Sequence, residues 1–191
     1  MKKGFLLAGC ILTAALFCRV PLESQEAEDP ARRLKAARAL ESGEYEKAAR
    51  LCLALLVQNP DDFEAGFLLA RAYAFSGQSE KALQVLNRML EKNPSHADLL
   101  LLRSRVLSWK GDYEQAKGGY RAVLQRSPDN VEALTGLAEI ASWTRAYPEA
   151  IRLYSRILEI NPDSAEFHFR LGRVYLWAGD SRNARKHLTK A

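Results

Sequence analysis

From Ala31 to Leu188, apolar side chains recur at three- and four-residue spacing in short blocks, the period of helices with one buried face. Phe67-Leu68-Leu69-Tyr73 runs up to Gly77, and Ala82-Leu83-Leu86-Met89-Leu90 follows it. The same pair of blocks, split by a turn signal, returns along the chain. No stretch shows the alternating period of a barrel strand. The spacing predicts pairs of short helices. Each is too short to be stable alone in water, so it must bury a face against its neighbours.

The pairs keep a fixed step of 34 residues. Pro60, Pro94, Pro128 and Pro162 share it, as do Ala48, Ala82, Ala116, Ala150 and Ala184. Gly43, Gly77, Gly111 and Gly179 follow the same step, with Arg145 in the fourth copy, and Tyr45, Tyr113 and Tyr147 add a further column. Chance does not align four independent columns in this way. With Pro at position thirty-two, the units are 29–62, 63–96, 97–130, 131–164 and a partial fifth, 165–191. Position eight is always small: Ala36, Ala70, Ser104, Ala138 and Gly172. Small residues at positions eight and twenty let the paired helices approach closely, and Pro ends each second helix. An Asp or Ser after the Pro helps to start the next one.

These columns resemble the tetratricopeptide repeat (TPR) family, whose pattern is small at eight, Gly at fifteen, Ala at twenty and Pro at thirty-two. The resemblance spans residues 29–191 and recurs in every unit. It implies an all-α fold: a right-handed α-solenoid of about five stacked antiparallel helix pairs. The first helix, expected over 31–42, carries Arg32, Arg33, Lys35 and Arg38, which suits a polar N-terminal cap. At the other end, Arg182, Arg185, Lys186 and Lys190 could solvate the open face of the last unit. The alternative is that the array continues in a longer protein. Gly118-Gly119 inside a helix costs about 1 kcal/mol per Gly relative to Ala. The pair marks a weak point or a close approach of another backbone.

Charge alters the picture at the N-terminus. The chain has 191 residues and a formal net charge of +5, but Lys2, Lys3 and Arg19 all lie in the first twenty residues, where no acid occurs. The remainder is too balanced for a nucleic-acid footprint. After Met1-Lys2-Lys3, an uncharged stretch runs from Gly4 to Cys18, which as a helix reaches only about 22 Å of a roughly 30 Å hydrocarbon core. That is the pattern of a secretory signal peptide over residues 1–22, with an N-terminal anchor as the alternative and residues 23–28 as a linker. Leu7-Ala8-Gly9-Cys10 resembles a lipobox, which would make Cys10 a lipidation site, but few apolar residues precede it. These features predict export to the periplasm or membrane of a bacterial envelope. Membrane contact would run only through the N-terminal segment. Beyond that segment Cys52 is the sole cysteine, so no intramolecular disulfide forms there, and its default role is a small buried hydrophobe.

Chemistry has no foothold in the motifs. His96, His168 and His187 occupy different repeat positions without metal-ligand spacing, and no phosphate loop, dinucleotide fingerprint or nucleophile elbow is present. His96 is expected as a solvated turn residue, and the other two as satisfied helix residues. No enzyme activity, metal or cofactor is expected.

What remains is a surface. Positions five, nine and thirteen of each first helix share one face. In the TPR family that face lines a concave groove for extended segments. The resemblance therefore places partner-binding residues at Phe67, Leu101 and Phe169 (five), Arg71, Arg105 and Arg173 (nine), and Phe75, Trp109, Trp143 and Trp177 (thirteen). All three tryptophans of the chain stand in that one register. Either each ring packs over its helix end as core, or the row is a ladder of aromatic faces flanked by arginines. Such a ladder suits a peptide with apolar and acidic side chains, or a sugar polymer. Position two is largely acidic (Glu64, Asp98, Glu132, Glu166), which argues against a clamp for a C-terminal carboxylate. Trp109-Lys110-Gly111 and Trp177-Ala178-Gly179, each followed by Ala five residues beyond the Gly, look like the TPR segments of YaiO-type and polysaccharide-export outer-membrane proteins. The expected function is a non-enzymatic scaffold that binds another envelope protein. The alternative is the periplasmic segment of a polysaccharide-export assembly whose Trp row touches glycan.

A test of the repeat logic follows from positions twenty and thirteen. Ala116→Trp should overpack a helix contact and cost about 1–3 kcal/mol or more, whereas Trp143→Ala should cost clearly less. Equal losses of melting temperature would place the Trp row in the core.

Overall fold

The computed structural model describes residues 22–191, and among these it contains helices and turns. Ten helices run in chain order: α1 (Leu22–Glu41), α2 (Tyr45–Gln58), α3 (Phe63–Phe75), α4 (Ser79–Lys92), α5 (Ala97–Lys110), α6 (Tyr113–Arg126), α7 (Val131–Trp143), α8 (Tyr147–Ile160), α9 (Ala165–Trp177) and α10 (Ser181–Leu188). Odd-numbered helices open each repeat and even-numbered ones close it. Each helix packs on the next along the chain, α1 also touches α3, α3 touches α5 and α5 touches α7, and an Arg170–Glu139 ion pair joins α9 to α7. The result is the α-solenoid expected from the sequence. Residues 1–21, which hold most of the expected signal peptide or anchor (1–22) and Cys10, lie outside the described residues. Helix α1 starts at Leu22, so residues 23–28 are helical where a linker was expected, and the helix continues through Pro30.

The close helix contacts fall where small residues recur. Ala36, Ala70, Ser104 and Ala138 at position eight are fully buried, as are Ala82, Ala116, Ala150 and Ala184 at position twenty. Around them lie three apolar clusters, centred on Ala48 with Cys52, on Leu86 with Val106, and on Leu134 with Ile157. Burial, with the Asp62 charge second, pushes the Cys52 thiol up to about 11, which keeps it protonated and inert at neutral pH. Gly119 is a point of close approach, since a Cβ there would overlap the Ser104 hydroxyl, whereas Gly118 faces open space.

Turn chemistry repeats as well. Each even helix through α8 stops two residues before its Pro. Two residues after the Pro, Asp62, Asn130 and Ser164 accept hydrogen bonds from Ala65 N, Ala133 N and Phe167 N and cap the following helix. His96 holds the same place before α5 without a side-chain cap bond. It is half-buried against the Phe63 ring at 4.8 Å, not a fully solvated turn residue as expected. Inside each repeat the turn needs one left-handed residue. Gly43, Gly77, Gly111 and Gly179 have φ between +77° and +88°, and Arg145 takes the place at +61°. A side chain there costs about 1–2 kcal/mol. Arg145→Gly should recover about 1 kcal/mol and raise the melting temperature by a few degrees. An unchanged or lowered value would contradict that account.

Helix α10 is fastened by a histidine pair. His168 is buried, its Nε2 donates to the Pro162 carbonyl (3.0 Å), and its Nδ1 accepts from His187 Nδ1 (3.0 Å). The His187 ring also stacks on Tyr175. Burial, followed by the charges of His168, Lys186 and Lys190, holds His187 below its ordinary value of 6.5. The unfolded chain therefore binds the proton more readily than the fold does. Stability from this group is present above the unfolded value and is lost as pH falls from there through the lowered folded value. Amide exchange in α10 should accelerate between about pH 7.5 and pH 5 beyond the intrinsic chemical rate, and His187→Gln should abolish that excess. The same excess in the variant would assign the effect elsewhere.

Candidate functional site on the odd-helix face

The row at position thirteen is neither core nor bare. Phe75, Trp109, Trp143 and Trp177 are 38%, 48%, 48% and 47% exposed, so each ring buries one part and presents the rest. The buried part is explained by neighbours. Phe75 lies between Tyr45 (6.0 Å) and Trp109 (5.9 Å), and Trp143 packs on Tyr113 at 6.2 Å. Tyr45 and Tyr113 of the tyrosine column therefore support the row from the preceding repeat. At the far end, the Arg173 guanidinium sits over Phe169 (5.6 Å) and Trp177 (4.8 Å), one helical turn to either side.

Not every expected residue reaches this surface. Leu101 is only 4% exposed and belongs to the core with Leu134 and Leu137, because α7 packs over it. It presents nothing to a partner. Phe67 is half-buried and packs against the cluster around Leu86, while Phe169 is 48% exposed. Arg71 is half-buried. Arg105 is committed to an ion pair with Glu132 at 2.6 Å.

The structure adds an ion-pair network at places the sequence reading passed over. Arg170 on α9 joins Glu139 on α7 and Glu166 one turn back at 2.8 Å. Burial works against its charge, but hydrogen bonds to Glu139 and Tyr154 more than offset this and raise its pKa. Tyr154 itself is held above its ordinary value, chiefly by burial. Arg170 occupies position six, outside the five-nine-thirteen rows. The acidic position-two column was the only signal of it, since Glu132 and Glu166 need cations nearby. A groove of about 560 Å³ follows α5, α7 and α9, lined by Arg105, Trp109, Glu132, Glu139 and Arg170. A second recess of about 180 Å³ lies between Trp143 and Trp177. Glu139 and Arg170 in its wall are paired with each other, Arg173 covers part of the Trp177 ring, and the Trp143 ring stays half exposed. Among the described residues no group of three or more His, Cys, Asp or Glu could hold a metal ion, and no helix is long and apolar enough to cross a membrane.

Comparison with known proteins agrees with the repeat geometry. Two tetratricopeptide repeat models match, one over residues 39–106 and 144–191 and the other over 101–165. A search of curated proteins finds no match. Among solved structures, MamA 41-end from Desulfovibrio magneticus RS-1 is similar with a TM-score of 0.73 at 22% identity, over 85% of this chain and 92% of that one. A tetratricopeptide repeat protein from Parabacteroides merdae gives 0.76 at 20% identity, over 91% of this chain and 66% of its own. A crystal structure of MamA gives 0.69 at 17%, over 81% and 91%. At these identities the likeness concerns the fold. The family models cover more than half of the sequence, and the chain belongs to the tetratricopeptide repeat family.

Proposed function

We propose that this protein is an exported, non-enzymatic scaffold of the bacterial cell envelope that holds an extended segment of another envelope protein along its odd-helix face. The observation that carries the reading is the half-exposed aromatic row, Phe75, Trp109, Trp143 and Trp177, kept in one register over four repeats. Rings held by neighbours on one side lose little freedom on binding, and they offer large contact area on the other. The ion pairs beside them suit a segment with apolar and acidic side chains, whose carboxylates can exchange onto Arg105 or Arg170. Export is supported by the basic start and short apolar run before Arg19. A second reading, the periplasmic TPR segment of a polysaccharide-export or outer-membrane assembly, is favoured by the three indole faces, since sugar rings stack on indole.

Tryptophan fluorescence separates the readings. A peptide with apolar and acidic side chains should shift or quench the emission saturably, and Trp109→Ala with Trp143→Ala should weaken its binding about tenfold or more. Quenching by a β-linked glucose or N-acetylglucosamine oligosaccharide alone would transfer the assignment to glycan. A flat response to both ligands would remove this face as a binding site. The intact mass of the native protein tests export: a loss of about 2 kDa marks a cleaved signal, and an added acyl mass would assign Cys10 as a lipid anchor.

A further inference from the structure

A second groove, of about 400 Å³, lies between α2 and α4 and shares no residue with the aromatic row. Its walls are Leu53 and Leu56 on one side and Val85 and Met89 on the other, with Phe63 at one end and Tyr73 at the other. Leu53 and Phe63 are 44% and 39% exposed.

The sequence explains why the groove occurs at this junction. Position four of the odd helix points between successive even helices. In the last three repeats it holds Leu100, Leu134 and His168, of which Leu134 and His168 are buried and Leu100 packs on the core. In the second repeat it is Gly66, and the Met89 sulfur lies 3.2 Å from where a Cβ would stand. A wedge present elsewhere is missing here, and a flexible methionine covers the floor. Such side chains adapt readily to an incoming apolar group.

The rim carries positive charge that is only partly used. Lys92 pairs with Asp61, and Asp62 is taken by Arg33 at 2.7 Å and by the α3 cap. Among the described residues, Lys81 binds only the neutral Gln78 side chain and lies over the Tyr73 ring, and Arg88 has no acidic partner. The two acids are thus spent, while two of the three cations at the rim are not.

We propose that this groove is a second docking site, which takes an amphipathic helix of a partner protein whose apolar stripe covers Leu53, Leu56, Val85 and Met89 and whose flanking carboxylates meet Lys81 and Arg88. The walls are 14-residue helices, which matches a ligand of about 21 Å. An apolar stripe with acidic flanks satisfies both the floor and the rim.

The probe is a fluorescein-labelled peptide of about 14 residues, with leucines at i, i+3, i+4 and i+7 and glutamates beside them. Anisotropy with the full chain should show saturable binding. Gly66→Leu should reduce it about tenfold or more while the helical circular dichroism and melting temperature are kept, because the repeats at 97–130 and 131–164 already carry Leu at this position. Arg88→Glu should weaken binding, and a lysine version of the peptide should bind the native chain poorly. Trp109→Ala should leave the affinity unchanged, which separates this site from the odd-helix face. The proposal is overturned by absent binding, by binding that survives Gly66→Leu, or by binding lost in Trp109→Ala. A dimer of the chain that dissociates on Gly66→Leu would overturn it in favour of a second copy as occupant.

Discussion

Each repeat depends on two helices meeting at side chains small enough to let their backbones approach. Helices of 13 or 14 residues have little stability of their own in water, so the stack exists only because every pair buries a face on its neighbours. Positions eight and twenty set how closely they can come, and Ala70, Ser104, Ala138, Ala82, Ala116 and Ala150 are all fully buried. From that spacing follow the step between repeats and the register of the odd-helix faces. A single large residue at one of these points would disturb both neighbouring repeats.

The same regularity makes the exceptions informative. Arg145 takes a left-handed turn that four other repeats give to glycine. Gly66 withholds the wedge that Leu100 and Leu134 supply at later junctions, and it leaves a groove on the side of the even helices. Leu176 is 51% exposed at a position where Leu40, Ala74, Ser108 and Ser142 are buried. Each departure is visible because neighbouring units provide the reference within one molecule.

Electrostatics divides the two surfaces by how their charges are spent. On the odd-helix face, Arg105 and Arg170 are tied to Glu132 and Glu139 of adjacent repeats, and Arg170 also to Glu166 on its own helix. These pairs fix the groove wall and leave aromatic faces as its open chemistry. On the even-helix side, acids are consumed within the turn at Asp61 and Asp62, and Lys81 and Arg88 stay available. One array can therefore present two unlike surfaces, one aromatic and one aliphatic with a basic rim.

The 34-residue columns determined the fold, because small residues, turn glycines and helix-ending prolines act locally and repeat. The Trp register at position thirteen was equally plain, since period alone aligns it. Tertiary structure decided what those residues present. Leu101 was expected at the surface and is core, because α7 crosses it. Arg105 was expected to meet a partner and is engaged by Glu132 of the next repeat. Arg170 lies outside the five-nine-thirteen rows, and its partners come from two different helices. The Gly66 groove depends on an absent side chain, whose effect appears only once α2 and α4 are set side by side. Local propensity repeats and can be read along the chain, whereas burial and pairing belong to neighbours that only the stack brings together.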